Sequence, residues 1–233
     1  MSTRTDFPKK APKVALVSST RAVLAPMEAA FHAEFPEAQM VHLLDETLLA
    51  DFAEAGGLSP RSRRKALQMA LAAQDAGVDG ILVTCSTLSS CVDDFLPFVI
   101  IPMIKIDEPV VDLVLQSAQS IGLLATADSV LRSVEPLVLG KARLLGREIS
   151  VQRFVREDLW PLATEDLPAF HRAVGKAATE AARVCQAVII TQVSMSPGWQ
   201  YVETSVRERV YILPVYAVRA IRSLLEGCHA LVK

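Results

Sequence analysis

The chain has 233 residues, 51% of them apolar, and a formal net charge of −2 at pH 7, so it is long enough to bury one large core or two small ones. A net charge this close to zero gives no electrostatic reason to expect nucleic acid or an anionic membrane as a partner. The longest apolar run, residues 95–104, contains two prolines and is too short to span a bilayer.

Short apolar runs alternate with amphipathic stretches along the whole chain, which is the pattern of βα units on a mostly parallel sheet. The sequence therefore predicts the α/β class. The predicted strands are Val14–Ser18, Met40–Leu44, Gly80–Thr84, Val99–Ile101, Ile121–Ala125, Ile149–Phe154, Ala187–Thr191 and Val210–Pro214. The predicted helices are Arg21–Phe35, Pro60–Ala76, Pro109–Gln119, Ser129–Leu139, Leu167–Cys185, Gln200–Glu208 and Val215–Glu226.

Two of the predicted strand ends repeat each other. The segments GILVTCSTLSS (80–90) and AVIITQVSMSP (187–197) align without gaps, and this alignment places Cys85 opposite Gln192. Ligands of open α/β sheets bind outside the carboxyl ends of the strands. The repeat therefore predicts two similar α/β halves, with Cys85 and Gln192 facing each other across a ligand.

Cys85 directly follows a buried strand and precedes a run of hydroxyl residues. The thiolate is the reactive form of cysteine, and free amides at a helix start favour it by lowering the thiol pKa. One interpretation is an acid, base or nucleophile at the mouth of a site. The other is a small buried core residue, a common role of free cysteine. The position at a strand end makes the first interpretation as reasonable as the second.

Polar residues also follow other predicted strands. Ser19 and Thr20 come after the first strand, and Thr126 comes after the strand that ends at Ala125. Each is also an ordinary helix N-cap when taken alone, but their recurrence predicts a site for a small anion. Asp107 and Glu108 precede Pro109. We expect them to cap the next helix, and the alternative is that they orient a polar group or supply a proton.

Several other chemistries find no support in the sequence. The ten glycines form neither GxGxxG nor GxxxxGK[ST], which argues against dinucleotide and P-loop sites. Cys228 and His229 are adjacent, but no CxxC or HxxxH accompanies them, so we expect no metal. The four cysteines lack paired spacing, and no apolar signal segment precedes Val14. Both features favour the reducing cytoplasm.

Five short motifs, spread in order along nearly the whole chain, resemble the cofactor-independent aspartate/glutamate racemase superfamily, which includes hydantoin racemases, maleate isomerases and arylmalonate decarboxylases. The motifs are VALVSSTRAVLAP (14–26), VTCST (83–87), IPMIKIDEP (101–109), IGLLAT (121–126) and IITQVSM (189–195). The resemblance implies two pseudo-symmetric Rossmann-like halves with mostly parallel sheets and the site in the cleft between them. It also implies that the last strand and helix return to the first half, so we assign residues 1–107 and 211–233 to the first half and 108–210 to the second.

In racemases of this type two cysteines flank the α-carbon of the substrate. One removes a proton, the other returns one on the opposite face, and no pyridoxal cofactor is used. Cys85 matches the first cysteine, but Gln192 stands at the second position. A side-chain amide donates and accepts hydrogen bonds but cannot act as a base or protonate a carbanion. A symmetric two-thiol reaction is therefore not expected here.

The sequence predicts a single-cysteine racemase or isomerase that acts, without a cofactor, at the carbon next to the carboxylate of a small acid or amino acid. The alternatives are a related decarboxylase and a non-catalytic protein that binds small carboxylates. A homo-oligomer is the expected state. Cys85 is the predicted catalytic residue, and the predicted substrate-binding residues are Ser19, Thr20, Ser86, Thr87, Thr126, Gln192 and Ser194.

Overall fold

The computed structural model describes residues 11–231, apart from the side chains of Ala53 and of residues 228–231. Residues 1–10, for which the sequence predicts no signal segment, lie outside this description. So do the side chains of Cys228 and His229, for which it predicts no metal. Among the described helices, none combines the length and the hydropathy that a membrane span requires.

Two four-stranded sheets form the framework, with the strand orders β2-β1-β3-β4 and β6-β5-β7-β8. Every pairing between the described strands is parallel. Central parallel strands are covered on both faces, which explains why the middle strands read as continuous apolar runs. The strands are β1 Lys13–Ser18, β2 Gln39–Leu44, β3 Gly80–Val83, β4 Met103–Lys105, β5 Ser120–Ala125, β6 Ser150–Val155, β7 Ala187–Ile190 and β8 Val210–Ile212. The α/β prediction is confirmed.

Helices cover both faces of each sheet. They are α1 Leu24–Glu34, α2 Thr47–Ala55, α3 Pro60–Asp75, α4 Ser86–Ser89, α5 Glu108–Val114, α6 Asp128–Leu144, α7 Trp160–Glu165, α8 Leu167–Ala182 and α9 Leu213–Leu231. Apolar residues of α1, α5, α6 and α9 form one core that joins the two sheets. Helix α3 packs on the outer face of the first sheet, and α8 packs on the outer face of the second.

The two halves repeat each other. Strands β1, β3 and β4 have counterparts in β5, β7 and β8, and each pair is separated by the same offset along the chain as Cys85 and Gln192. The pairings repeat as well, because β1 pairs with β3 as β5 pairs with β7. The internal repeat seen in the sequence is therefore a repeat of the fold, and it places residues 85 and 192 at equivalent strand ends.

Two predicted elements are wrong, and three short helices, α2, α4 and α7, are missed. Residues 99–101 form no strand. The strand lies further along the chain as β4, because the Ile81 N–H donates to the carbonyl of Pro102 and Ile81 then pairs with Met103. Residues 200–208 form no α-helix. There the guanidinium of Arg207 donates to the carbonyl of Val202, which holds the chain in turns. Helix α2 is absent from the prediction.

The prediction that the last strand returns to the first half is also wrong. Strand β8 pairs with β7, with Val210 opposite Val188, so it completes the second sheet. Only the helix crosses back, since α9 packs on α1 and α5. The physical reason is the repeat itself: β8 is the counterpart of β4, which is the edge strand beside β3. The half boundaries otherwise stay a prediction.

Candidate active site

A cavity of about 100 Å³ lies at the carboxyl ends of β1, β3 and β7, between the two halves. This is where an open parallel sheet places its ligands. The lining residues are Ser19, Thr20, Val23, Leu49, Phe52, Thr84, Cys85, Ser86, Thr87, Val130, Gln192, Val193 and Ser194.

The structure brings most of the predicted site residues together around this cavity; the exception is Thr126. Its side chain is buried behind Gln192 and contacts that residue instead. The apolar part of the lining, notably Leu49 and Phe52 of α2, was not predicted from the sequence. Leu48, Leu49 and Phe52 have the spacing of an amphipathic helix face, so a signal for α2 was present in the sequence.

The two strand ends share one backbone arrangement. The N–H and hydroxyl of Thr84 both donate to the carbonyl of Val17, with donor–acceptor distances of 3.0 and 3.2 Å. In the second half, Thr191 donates to the carbonyl of Leu124 in the same way, at 3.0 and 2.9 Å. These paired bonds fasten each strand end to its central strand and fix where the next residue, Cys85 or Gln192, points.

Cys85 is partly exposed to the cavity and is not disulfide-bonded. Burial raises the pKa of its thiol above the ordinary value, while the Ser19 hydroxyl and the backbone N–H groups of Leu88 and Thr87 partly offset that rise. The amides expected from the sequence do face the sulfur, but desolvation outweighs them. The thiol is therefore protonated at neutral pH and is a proton donor in its resting form.

Gln192 is held in one orientation. Its Oε1 accepts from the backbone N–H of Thr126 at 2.7 Å and from the Thr126 hydroxyl at 3.0 Å. A backbone N–H can only donate, so the amide atom that faces it is the oxygen. The amide nitrogen and its two N–H donors are left for the cavity that Gln192 lines.

Asp107 lies behind the cavity wall, 1% exposed. The Ser86 hydroxyl lies 2.6 Å from Asp107 Oδ1 and 3.0 Å from the carbonyl oxygen of Thr191 in the other half. Burial raises the pKa of Asp107 to about 6, and its Oδ2 has no hydrogen-bond partner. One hydroxyl proton cannot fully serve two acceptors. When Asp107 takes up a proton below its pKa, the carboxyl group can donate to Ser86 and leave the Ser86 hydroxyl for the carbonyl of Thr191.

Asp107 does not cap α5, which has no side-chain cap, so that prediction is wrong. Glu108 forms an ion pair with Lys141 at 2.8 Å rather than facing the site. The two acids differ in their surroundings. Asp107 is enclosed by the strand end and α4, whereas Glu108 lies within reach of Lys141 of α6.

The buried acid Asp107 and its hydroxyl partner Ser86 have no equivalents in the second half. In the alignment that places Cys85 opposite Gln192, Asp107 corresponds to Pro214 and Ser86 corresponds to Val193. Ser89, whose hydroxyl donates to the carbonyl of Cys85, corresponds to Ser196, and the buried Ser196 hydroxyl has no hydrogen-bond partner. The groups that can carry a proton are therefore gathered on the Cys85 side of the cleft.

The arrangement can transfer protons and stabilise negative charge. A protonated thiol and a carboxyl group joined to a hydroxyl supply protons, and the amide of Gln192 supplies N–H donors for developing charge. In the part of the chain that the structure describes, no three or more His, Cys, Asp or Glu side chains are grouped to hold a metal ion.

Fold and site together define an α/β protein of two parallel-sheet halves with a single cysteine lining the cleft. The sequence model of the Asp/Glu/Hydantoin racemase family matches residues 14–220. The chain therefore belongs to this family, and the resemblance read from its motifs is confirmed.

Solved structures of racemases share the fold. The glutamate racemase of Francisella tularensis, in complex with D-glutamate, is 16% identical, with 94% of this chain and 83% of that chain covered and a TM-score of 0.68. The allantoin racemase of Klebsiella pneumoniae is 17% identical, with 92% and 88% covered and a TM-score of 0.66. The Picrophilus torridus aspartate racemase is 11% identical, with 91% and 94% covered and a TM-score of 0.61. A search of curated protein sequences gave no match.

Proposed function

We propose that this chain is an isomerase that moves a proton at the carbon next to the carboxylate of a small acid or amino acid, with Cys85 as its acid–base group and without a cofactor. The observation that carries the proposal is the position of Cys85 on the wall of a cavity between the halves, with Gln192 lining the same cavity. Membership of the racemase family supports the reaction class. The D-glutamate bound by the Francisella tularensis enzyme supports a carboxylate ligand.

The polar lining binds the carboxylate and stabilises the charge that forms beside it. Removing a proton next to a carboxylate produces an enediolate, and fixed N–H and O–H donors stabilise such charge more than mobile water does. Gln192 offers amide N–H groups, and Thr126 acts through Gln192 as a positioning residue. The remaining donors are the hydroxyls of Ser19, Thr20, Ser86, Thr87 and Ser194.

A single thiol leaves the second proton transfer without an obvious carrier, because Gln192 cannot perform it. A group with suitable chemistry is Asp107, whose carboxyl reaches the cavity wall through the Ser86 hydroxyl. Its pKa of about 6 lets it exist in both forms near neutral pH. We assign removal of the α-proton to ionised Asp107 acting through the Ser86 hydroxyl, and return of a proton to the Cys85 thiol; the carboxyl group then loses its proton to water and the thiolate regains one from water.

The raised pKa of Cys85 and the missing second thiol also favour a second candidate, a decarboxylase. When CO₂ leaves, the electrons of the broken carbon–carbon bond stay on the α-carbon. One proton from the Cys85 thiol then completes the product, and the thiolate regains a proton from water. This reaction needs an acid but no base. A third candidate, a non-catalytic carboxylate-binding protein, is favoured by the absence of a second thiol alone.

The test measures both reactions on one panel of small carboxylic acids and malonic acids in D₂O. Incorporation of deuterium at the α-carbon without loss of CO₂ identifies an isomerase, and release of CO₂, with deuterium in the shortened product, identifies a decarboxylase. Cys85→Ser should abolish the reaction observed. Cys185→Ser, which alters a buried thiol of the second half, should retain it. Binding without either reaction identifies the non-catalytic protein, and activity that survives Cys85→Ser contradicts the assignment of the thiol.

We further propose a homo-oligomer working in the cytoplasm. Light scattering on the purified chain measures the oligomeric state, and a monomer at micromolar concentration would contradict it.

A further inference from the structure

The cavity has a polar end and an apolar wall. Cys85, Gln192 and the hydroxyl residues form the polar end. The wall opposite is made by Val23, Leu49, Phe52, Val130 and Val193. Among the described residues that line the cavity, none carries a charged side chain. A ligand held here is therefore met by hydrogen-bond donors at one end and by hydrocarbon everywhere else.

The cationic residue next to the lining residue Thr20 in the sequence is Arg21, and it already forms an ion pair. Its guanidinium forms a bidentate ion pair with Glu46, at the start of α2. The Arg21 Nε lies 2.9 and 3.1 Å from the two carboxylate oxygens of Glu46. The Glu46 carboxylate therefore offsets the charge that Arg21 could offer to a second ligand carboxylate, and Arg21 itself does not line the cavity.

We infer that the site takes a compact monocarboxylate with an uncharged, apolar substituent and discriminates against dicarboxylates, an inference that rests on the proposed function. Moving a second carboxylate from water onto the wall of Leu49, Phe52 and Val130 would remove part of its hydration without supplying a compensating cation. The first carboxylate avoids this cost because the polar end replaces its water hydrogen bonds.

The size of the cavity limits the substituent. An apolar cavity of about 150 Å³ accommodates benzene, whereas this one has about 100 Å³. The substituent therefore has roughly four non-hydrogen atoms or fewer, which suits a carboxylate bearing a short or branched alkyl group.

The experiment measures how well two isosteric acids protect Cys85 from iodoacetamide, with the modified residue identified by peptide mass mapping. The acids are isovalerate and malonate, which have the same number of non-hydrogen atoms and differ by an isopropyl group in place of a carboxylate. Isovalerate should protect at a concentration roughly tenfold or more below that of malonate, since one uncompensated charge costs at least that factor. Equal protection, or better protection by malonate, would overturn the inference but leave the proposed function standing. Protection by neither acid would overturn both.

A charge placed on the wall tests the physical cause. Leu49 is 42% exposed and lines the cavity, so Leu49→Arg puts a cation at the wall without burying it deeply. This variant should improve protection by malonate about tenfold relative to the unaltered chain. Leu139→Arg is the matched control, because Leu139 is a helix residue 40% exposed and lies outside the lining. An equal gain in both variants, or none in Leu49→Arg, would contradict the role given to the wall.

Discussion

The loop after β3 and the loop after β7 begin alike and then diverge. Each follows a threonine that donates twice to a central-strand carbonyl, and each next residue has an extended backbone, with φ of −116° at Cys85 and −124° at Gln192. Behind Cys85 lies a buried acid, Asp107, whereas Pro214 stands at the equivalent position behind Gln192. A repeated backbone therefore carries unequal chemistry: one loop has groups that can carry a proton, and the other has an amide that can only form hydrogen bonds.

The partner of each key residue is repeated as well. The Ser19 hydroxyl faces the Cys85 sulfur, and the Thr126 hydroxyl contacts the Gln192 amide oxygen. Ser19 and Thr126 are themselves equivalent positions of the internal repeat. The fold therefore fixes one hydroxyl contact at each strand end. The side chain placed there determines whether that contact is made to a thiol or to an amide.

The largest expected effects are kinetic, and they distinguish the proton-carrying role proposed for Cys85 from the hydrogen-bonding role proposed for Gln192. Cys85→Ala should lower kcat by about 10²–10⁴-fold, the usual contribution of a general acid or base. Gln192→Ala should lower kcat less, by about tenfold, and raise KM, because it removes hydrogen bonds to the ligand and to the charge that forms on it but no proton carrier. Steady-state kinetics on a substrate found by the exchange test measures both. A fall in kcat for Gln192→Ala equal to that for Cys85→Ala would erase the distinction between the loops.

The second prediction concerns the packing that holds only the Gln192 loop. Gly175 of α8 lies against the turn Val193–Tyr201, where an added Cβ would stand 2.7 Å from the carbonyl oxygen of Gly198. Because backbone cannot move aside as a side chain can, Gly175→Ala should lower the free energy of unfolding by about 3 kcal/mol.

The control for that variant is Gly140→Ala in α6, where an added Cβ meets nothing within 4 Å. This change should raise the free energy of unfolding by about 0.5–1 kcal/mol, because alanine loses less backbone entropy in a helix than glycine does. Urea denaturation measures both variants. Equal effects would show that the close approach of α8 to the turn carries no stability.

The third prediction tests the buried acid by pH. The pKa of Asp107 is raised to about 6 in the folded chain from an ordinary value of 3.8, so the folded state binds the proton more tightly. Its stabilising contribution is present below about pH 4 and is lost as the pH rises through about 6. Asp107→Asn cannot ionise, so its stability relative to the unaltered chain should increase across this window by about 2–3 kcal/mol. Parallel urea stabilities of the two chains across that window would contradict the raised pKa.

The smallest expected effect tests the two hydroxyl partners. Ser19→Ala removes a group that lowers the pKa of Cys85, so iodoacetamide alkylation of Cys85 should shift to higher pH. Thr126→Val removes the equivalent hydroxyl beside Gln192 and should leave this profile unchanged. The pH dependence of alkylation distinguishes them, and a shift in both would mean that the halves do not act separately.

Much of the fold could be predicted because the central strands are continuous apolar runs that end in polar residues, as β1 and β7 do. Cys85 and Gln192 were found for the same reason, since residues after parallel strands meet at one edge. The edge strand β4 was misplaced because a short run near Pro102 has no periodicity that fixes its register. The place of β8 depends on pairing with a distant β7, which no local pattern records.

The sequence by itself determined two α/β halves, the repeat between them and the position of Cys85 at a strand end, because apolar runs and strand ends are local features. Only the tertiary structure decided that Asp107 is buried behind Ser86, that Gln192 presents its amide nitrogen to the cavity, and that α2 supplies an uncharged wall. These properties come from contacts between residues far apart in the chain, such as Ser86 and Thr191, which are separated by 105 positions. Desolvation and hydrogen-bond direction exist only once such residues meet.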